Sequence, residues 1–364
     1  MTHVALTGSN GFLGWHTRAA LVEQLVDTKP IAVGDAFSLG AASAAISGST
    51  RLLHLAGVNR ASDDDVRDGN VLFAEQVAAA LLRADAPPRD VVFANSTHSA
   101  NGSIYGDAKA AAARIMRTAA ETVGAQFHDV RLPNLFGEHG RPFYNAVTAT
   151  FSHLLASGNV PTIDLDKQLT LLHAQDAADL LTGAVPASGQ QGLEAELAVS
   201  ELLGKLNVMA ETYRRGEIPD VAAKVDRDLF NTYRSHTFPQ QAPVQLNRRA
   251  DARGSFFEII RAHGGPSQSS FSTTVPGITR GDHFHRRKIE RFTVLAGQAT
   301  ISLRKLFTDE VISFDVTGDA PAALDMPTMW VHKIQNTGSE TLYTSFWSND
   351  IFNPDMPDTI AEAV

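Results

Sequence analysis

Three groups of residues in this chain have types and spacings that could do chemistry. The first is Gly8-Ser-Asn10-Gly11-Phe12-Leu13-Gly14, which follows a short apolar run and opens a helical pattern. Gly8 permits a sharp turn, Gly11 lets backbone amides approach a pyrophosphate, and Gly14 lets the helix pack closely on a strand. The helix N-terminus then turns N–H groups and positive dipole toward the phosphates. Asp35 lies 21 residues beyond Gly14, at the end of the next apolar run. A carboxylate there bonds adenosine ribose hydroxyls and repels a 2′-phosphate, which favours NADH over NADPH.

The second group is Tyr105 and Lys109, whose spacing of four puts both on one helix face. An ammonium beside a phenol favours the phenolate and lowers the Tyr pKa. Tyr105 can then hand a proton to a carbonyl oxygen as hydride arrives. Ser96, just after the apolar run 91–94, is the expected second partner of that oxygen, with Thr97 as the alternative. The third group is His283, His285, Glu290 and His332. Residues two apart in a strand point the same way, so His283 and His285 can meet one ion, with Glu290 returning on the next strand. Three neutral imidazoles and a carboxylate suit Zn²⁺, and also Fe, Mn or Ni. Lys288 stands beside them as a base or a surface charge.

The elements that must carry these groups fall into two kinds. Apolar runs at 4–7, 31–34, 52–55, 91–94 and 130–132 alternate with helical patterns at 13–25, 74–82 and 108–123. That alternation predicts an α/β Rossmann-like, doubly wound parallel sheet. After a Pro/Gln-rich stretch at 238–243, read as a linker, short strands alternate with turns at 270–275, 290–295, 299–303, 310–316 and 342–347. This predicts an all-β jelly roll. The expected domains are 1–243 and 244–364.

Composition narrows the classes. Asp plus Glu is 40 against 31 Lys plus Arg, a net charge of −9, which argues against a nucleic-acid partner. The chain has no cysteine, which excludes disulfides, thiolate-bound zinc, iron–sulfur clusters and thiol nucleophiles. No leader pattern or apolar run of about 18 residues is seen, so no membrane partner is expected and the cytoplasm is the expected compartment.

Residues 1–240 resemble an extended short-chain dehydrogenase/reductase acting on nucleotide sugars. The matching pieces are Thr7-Gly8-x-x-Gly11-Phe12-x-Gly14, His54-Leu55-Ala56-Gly57, Asn70, Tyr105-x-x-x-Lys109 and Arg131-Leu-Pro-Asn134-Leu-Phe-Gly137. The resemblance implies that Leu55, Ala56, Gly57 and Asn70 serve the cofactor, and that Arg60, Asn134 and Asn145 lie near the nucleotide sugar. Ser96 stands closer to its Tyr than is usual there. The histidine set resembles the two cupin motifs, the first ending at Gly297 and the second carrying Met329 where that family has glycine.

The two halves together resemble the bifunctional enzymes of bacterial capsular polysaccharide synthesis on the route to UDP-N-acetyl-L-fucosamine. The segment His54–Arg60, Tyr144-Asn145, Pro276–Thr279 and the tail Phe352–Thr359 carry this likeness. It implies a UDP-2-acetamido-2,6-dideoxy-4-ketohexose as substrate. C-3 would be epimerised with a metal's help in the cupin and the C-4 ketone reduced in the dehydrogenase half. The product would be UDP-2-acetamido-2,6-dideoxy-L-talose. The likeness also implies NADPH, against the reading of Asp35, and a homodimer formed through the cupin. Two alternatives stand beside it. One is a reductase with a non-catalytic cupin. The other is a dinucleotide-binding redox sensor, against which Tyr105 and Lys109 speak.

Overall fold

The computed structural model describes residues 2–364. The chain divides into two compact units. The first comprises residues 2–136, 143–146 and 168–197, and the second residues 137–142, 147–167 and 198–364.

The first unit opens with β1 (His3–Thr7), α1 (Phe12–Glu23), β2 (Asp27–Ile31), α2 (Leu39–Ile46) and β3 (Arg51–His54). It continues with α3 (Asp63–Leu82), β4 (Asp90–Ser96), α4 (Ile104–Thr122), β5 (Gln126–Leu132) and β6 (Asn134–Phe136). After α5 (Val147–Ala156), which belongs to the second unit, it ends with β7 (Gln168–His173), α6 (Ala174–Thr182) and β8 (Ala195–Ala198). The main sheet has the order β2-β1-β3-β4-β5 and is parallel throughout. Strand order reverses between β1 and β3, and in such sheets the crevice at the carboxyl ends there is where ligands bind. The central strands β1, β3 and β4 are buried on both faces, as in helix-covered parallel sheets, while the edge strands β2 and β5 carry polar and exposed residues. Ala-rich faces let α3 and α4 lie close to each other and to the sheet: Ala74, Ala78, Ala112 and Ala113 are all buried in one cluster. Ser103 caps α4 by accepting the Gly106 N–H at 3.0 Å, which fixes where the Tyr105 turn begins.

The second unit packs α5, α7 (Val199–Arg214) and α8 (Lys224–Thr237) with an all-β body. Its strands are β9 (Val244–Gln245), β10 (Arg249–Asp251), β11 (Gly254–Phe256), β12 (Gln268–Thr274), β13 (Thr279–Phe284), β14 (Glu290–Ala296) and β15 (Gln298–Lys305). There follow β16 (Val311–Thr317), β17 (Ala322–Met326), β18 (Trp330–Asn336), β19 (Leu342–Ser348) and β20 (Ile360–Ala361). β10 and β11 pair only with each other, and the other ten form two five-stranded antiparallel sheets, β12-β19-β14-β17-β9 and β16-β15-β18-β13-β20, the jelly-roll arrangement. Phe292, Ile301, Leu303, Leu324 and Ile334 fill the space between them.

The Pro/Gln-rich stretch is not a free linker. Phe238 and Ala242 pack on this core, with the Phe238 ring 4.9 Å from that of Trp330. Phe238, just before Pro239, and Ala242, just before Pro243, bury area that a solvated linker would leave in water. The two units therefore do not part there.

One buried ion pair ties helices to strands within the second unit. Arg291 donates to both Asp325 oxygens at 2.6 and 2.8 Å, and also to the Gly216 carbonyl beyond α7. Both partners are almost wholly buried, and the Arg291 guanidinium holds the Asp325 carboxyl below its usual range against the effect of burial. Removing one partner would strand the other charge in an apolar interior. Asp325→Ala is therefore expected to cost about 3–5 kcal/mol. Urea unfolding should show this as a lowered midpoint, and the apolar pair Arg291→Met with Asp325→Leu should recover most of it.

Candidate functional site

The glycine loop is shaped by contacts that no side chain could share. Gly8 has φ +69°, and a Cβ on it would lie 2.8 Å from the Ala56 nitrogen. A Cβ on Gly14 would lie 2.0 Å from the Gly8 carbonyl oxygen, so α1 can only start here with glycine. Gly11 is the N-cap of α1 and no side chain satisfies the first-turn amides. Phe12 and Leu13 open that helix, and Asn10 lies in the turn just before the N-cap. The cradle fits a diphosphate. Asp35 is exposed in a short turn just past β2, on the strand next to β1.

Thr7 joins this loop to the one after β3. Its hydroxyl oxygen accepts the N–H groups of Leu55 and Ala56 at 3.0 and 3.1 Å and lies 2.7 Å from His54 Nδ1. With both acceptor positions used, the single hydroxyl proton goes to His54 Nδ1, which fixes a neutral imidazole carrying its proton on Nε2. Burial, helped by the positive charge of Lys109, pushes the His54 pKa down to about 3. Thr7 and His54 belong to quoted motifs, but spacing alone did not reveal them as the clamp between the two loops.

Asn70 is buried and fully engaged. Its amide donates to the carbonyls of Val58 at 2.6 Å and Val66 at 2.7 Å and accepts the Val58 N–H at 3.3 Å. It shapes the Leu55–Ala56–Gly57 loop from behind and has no donor left over for a cofactor. Arg60 likewise donates to the carbonyls of Phe143 and Tyr144, and its guanidinium lies over the Tyr144 ring. It pins the segment that presents Asn145, which is exposed. Asn134 on β6 is exposed and donates to the Thr170 carbonyl at 3.1 Å.

Tyr105 and Lys109 lie on one face of the first turns of α4, at the end of β4. Ser96, the last residue of β4, lies close enough to Tyr105 to oppose the effect of burial on its phenol, whereas Thr97 is exposed. The expected effect of Lys109 on Tyr105 is corrected here. Burial raises the Tyr105 pKa and only Ser96 opposes it. The Lys109 ammonium instead donates to the Ala94 carbonyl at 2.6 Å and stands 4.1 Å from the centre of the Phe93 ring. Burial brings its pKa down to about 7. A Cβ on Gly57 would lie 3.9 Å from Lys109 Nζ, so the loop after β3 and the Tyr–Lys helix meet at this point.

In the second unit, β13 and β18 are paired so that His283 faces His332 across the ladder. A register shift between Gly281 and His283 makes this possible, at a glycine with φ +110° whose Cβ would meet the His332 carbonyl at 2.7 Å. His285 follows β13, and Glu290 opens β14 on the other sheet. The donor atoms of His283, His285, Glu290 and His332 all lie within 4.8 Å of one another. His285 Nδ1 is 2.6 Å from the Asp358 carbonyl and His332 Nδ1 is 3.1 Å from the Trp330 carbonyl. Both rings therefore carry their proton on Nδ1 and turn an Nε2 lone pair toward the Glu290 carboxylate, at 3.0 and 3.4 Å. Lone pairs facing a carboxylate repel unless a cation lies between them. The donor set fits a divalent metal. Burial pushes the His283 pKa down to about 4 and lowers that of His332, keeping both rings in the form that binds metal.

Met329 keeps the turn that glycine makes in the cupin motif. It adopts φ +60°, and its N–H donates to the His285 carbonyl at 2.7 Å. A cavity of about 140 Å³ opens beside Glu290, lined by Lys288, Phe346, Trp347 and residues of the C-terminal tail.

A parallel sheet with a phosphate cradle at its switch point defines a dinucleotide-binding protein. The chain belongs to the NAD dependent epimerase/dehydratase family, whose model matches residues 4–194. Residues 249–360 match a second model, the polysaccharide biosynthesis C-terminal domain. Among curated proteins, the chain is 27% identical to the UDP-2-acetamido-2,6-beta-L-arabino-hexul-4-ose reductase of Pseudomonas aeruginosa, across 99% of this chain and 98% of the relative. Among solved structures it is similar to the capsular polysaccharide assembling protein CapF of Staphylococcus aureus, with TM-score 0.61, 29% identity and full coverage of both chains. UDP-glucose 4-epimerase of Thermotoga maritima shares the fold over 66% of this chain and 99% of its own, with TM-score 0.52 and 13% identity. Among the described residues no helix is long and apolar enough to cross a membrane.

The His54 pKa lies below that of an unfolded histidine, so the unfolded chain takes up a proton first as pH falls. The contribution is fully present above pH ~6.5 and is lost progressively toward pH ~3. His54→Gln is expected to flatten the acid limb of a stability-against-pH curve by up to ~1.4 kcal/mol per pH unit. Urea titrations at pH steps across that window provide the check.

Proposed function

We propose that the chain reduces the C-4 ketone of a UDP-2-acetamido-2,6-dideoxy-4-ketohexose after its C-3 centre has been inverted in the cupin. The product is UDP-2-acetamido-2,6-dideoxy-L-talose, for capsular or other surface polysaccharide. The likeness to a named UDP-sugar 4-keto reductase over nearly the whole chain supports the substrate class. The single observation that carries the chemistry is the meeting of Ser96, Tyr105 and Lys109 with the Gly57 loop at the end of β4.

A bound reduced nicotinamide supplies hydride, and a bound divalent metal, with Zn²⁺ the proposed ion, supplies Lewis-acid polarisation of a ketone. Gly8, Gly11, Gly14 and the start of α1 would hold the diphosphate, with Asp35 beside the adenosine ribose. Tyr105, kept protonated by burial, gives its proton to the C-4 oxygen, and Ser96 orients the phenol. Lys109 lies close enough to the Gly57 loop to place positive charge beside a bound ribose. His283, His285, Glu290 and His332 would hold the metal, and the adjoining cavity would take the sugar ring. NADPH is proposed as the preferred donor, and NADH activity far above NADPH activity would overturn that preference.

The protein is proposed to work as a homodimer. β12 is an edge strand, and Phe271 on it and Tyr343 on β19 present exposed rings 5.9 Å apart. Unpaired, apolar sheet edges are normally covered.

Proton NMR of the reaction in deuterated water tests the chemistry. Wild-type protein should place deuterium at C-3 and form a C-4 alcohol. Tyr105→Phe should lower the reduction rate by about 10²–10⁴-fold while C-3 exchange continues. Metal removal should abolish C-3 exchange. A C-4 alcohol without deuterium would leave the cupin non-catalytic. For the assembly, sedimentation should give twice the 39.1 kDa chain mass, and Phe271→Lys should shift it toward monomer.

A further inference from the structure

The C-terminal tail is built into the histidine centre. After β19 it passes beside the cavity, where Phe352, Met356 and Pro357 form part of the wall with Glu290 and Lys288. Asp358 then makes four contacts with one short segment. Its carboxylate accepts the successive N–H groups of Arg286, Arg287 and Lys288 at 2.8, 2.8 and 2.6 Å. Three converging amides make a strong seat for one carboxylate. Its carbonyl accepts the His285 Nδ1–H at 2.6 Å. Thr359 accepts a bond from Lys288 Nζ at 3.1 Å, and β20 pairs Ala361 with His283 and Ile360 with Phe284. The tail therefore holds two of the four clustered donors, one by its ring and one by its backbone.

The geometry points to Asp358 as the positioning residue of the metal centre: by docking the tail it fixes the His285 ring and the 286–288 turn, and so couples metal affinity to closure of the cavity wall. The inference rests on the reading of His283, His285, Glu290 and His332 as metal ligands. Partners behind a ligating histidine set its tautomer and orientation, and their loss typically weakens metal binding 10–100-fold. The coupling is reciprocal. If tail docking tightens metal binding by some factor, metal must tighten tail docking by the same factor.

The test uses the full chain as wild type, Asp358→Ala and Asp358→Asn. Zinc dissociation constants come from competition with a chromogenic chelator. Backbone amide hydrogen exchange is followed at 286–288 and 360–361 with and without zinc, and circular dichroism checks folding. The expected result is folded variants that bind zinc 10–100-fold more weakly and exchange faster at those amides. Zinc should slow the same amides in the wild type. Variants with wild-type zinc affinity despite faster exchange would overturn the positioning role while leaving the metal reading in place. Should the variants not fold, the wild-type exchange decides, and amides indifferent to zinc would overturn the inference. A wild-type chain that binds neither zinc nor another divalent ion would instead remove the metal reading, and this inference with it.

Discussion

One hydroxyl governs the order of the first unit's crevice. Thr7 uses both acceptor positions and its only proton on partners from the strand β3 and the loop beyond it. The glycine turn that follows Thr7 and the Leu55–Gly57 loop thus have one spacing, set at about 3 Å by hydrogen bonds and by the close approach of Gly8 to Ala56. Everything downstream inherits that spacing. Asn70 holds the far end of the loop, and the same loop is what Lys109 reaches from α4. A dinucleotide laid along the crevice would contact elements that are already fixed, so little ordering entropy would be lost on binding.

The second unit solves a harder electrostatic problem. Imidazole lone pairs and a carboxylate converge in a buried place, and none of them neutralises another without a cation. Such a cluster persists only where the surrounding structure is over-determined. Here the constraint comes from two sheets, a bulge at Gly281, the carbonyls behind two of the rings and the tail beneath them. The Arg291–Asp325 pair, on the neighbouring strands β14 and β17, anchors the β14 strand whose first residue is Glu290.

Much of this was legible in the residues. The glycine spacing, the Tyr–Lys step and the His-x-His step are local signals, and β1, α1, β4 and α4 run close to the expected ranges, whereas β2 ends where the expected run begins and the strands β13 and β18 that carry His283 and His332 are not among the expected runs. What periodicity could not show was who uses up whom. Asn70 looks like a ligand-binding group in sequence, yet both its amide hydrogens are bound to the Val58 and Val66 carbonyls, and one Arg60 nitrogen is held by the carbonyls of Phe143 and Tyr144, some 83 residues away. The pKa of Tyr105 depends on where the Lys109 ammonium points, and a spacing of four leaves that open. Asp358 lies some 70 residues from the turn it holds, a pairing that only the closed sheet brings about. Phe238 reads as part of a linker because prolines flank its neighbours, while its ring belongs to the core.

Met329 shows how a turn can hold its shape without glycine. A left-handed backbone costs an ordinary residue about 1–2 kcal/mol. Full burial of the side chain returns about 1.5–3 kcal/mol, and the unfolded chain has less freedom to lose with methionine than with glycine. The balance favours methionine, and the gain lies partly in the disordered ensemble rather than in the native fold. The turn between β17 and β18, which leads into His332, is thus narrowed before folding begins. Its hydrogen bond to the His285 carbonyl then closes over a chain with fewer places to go.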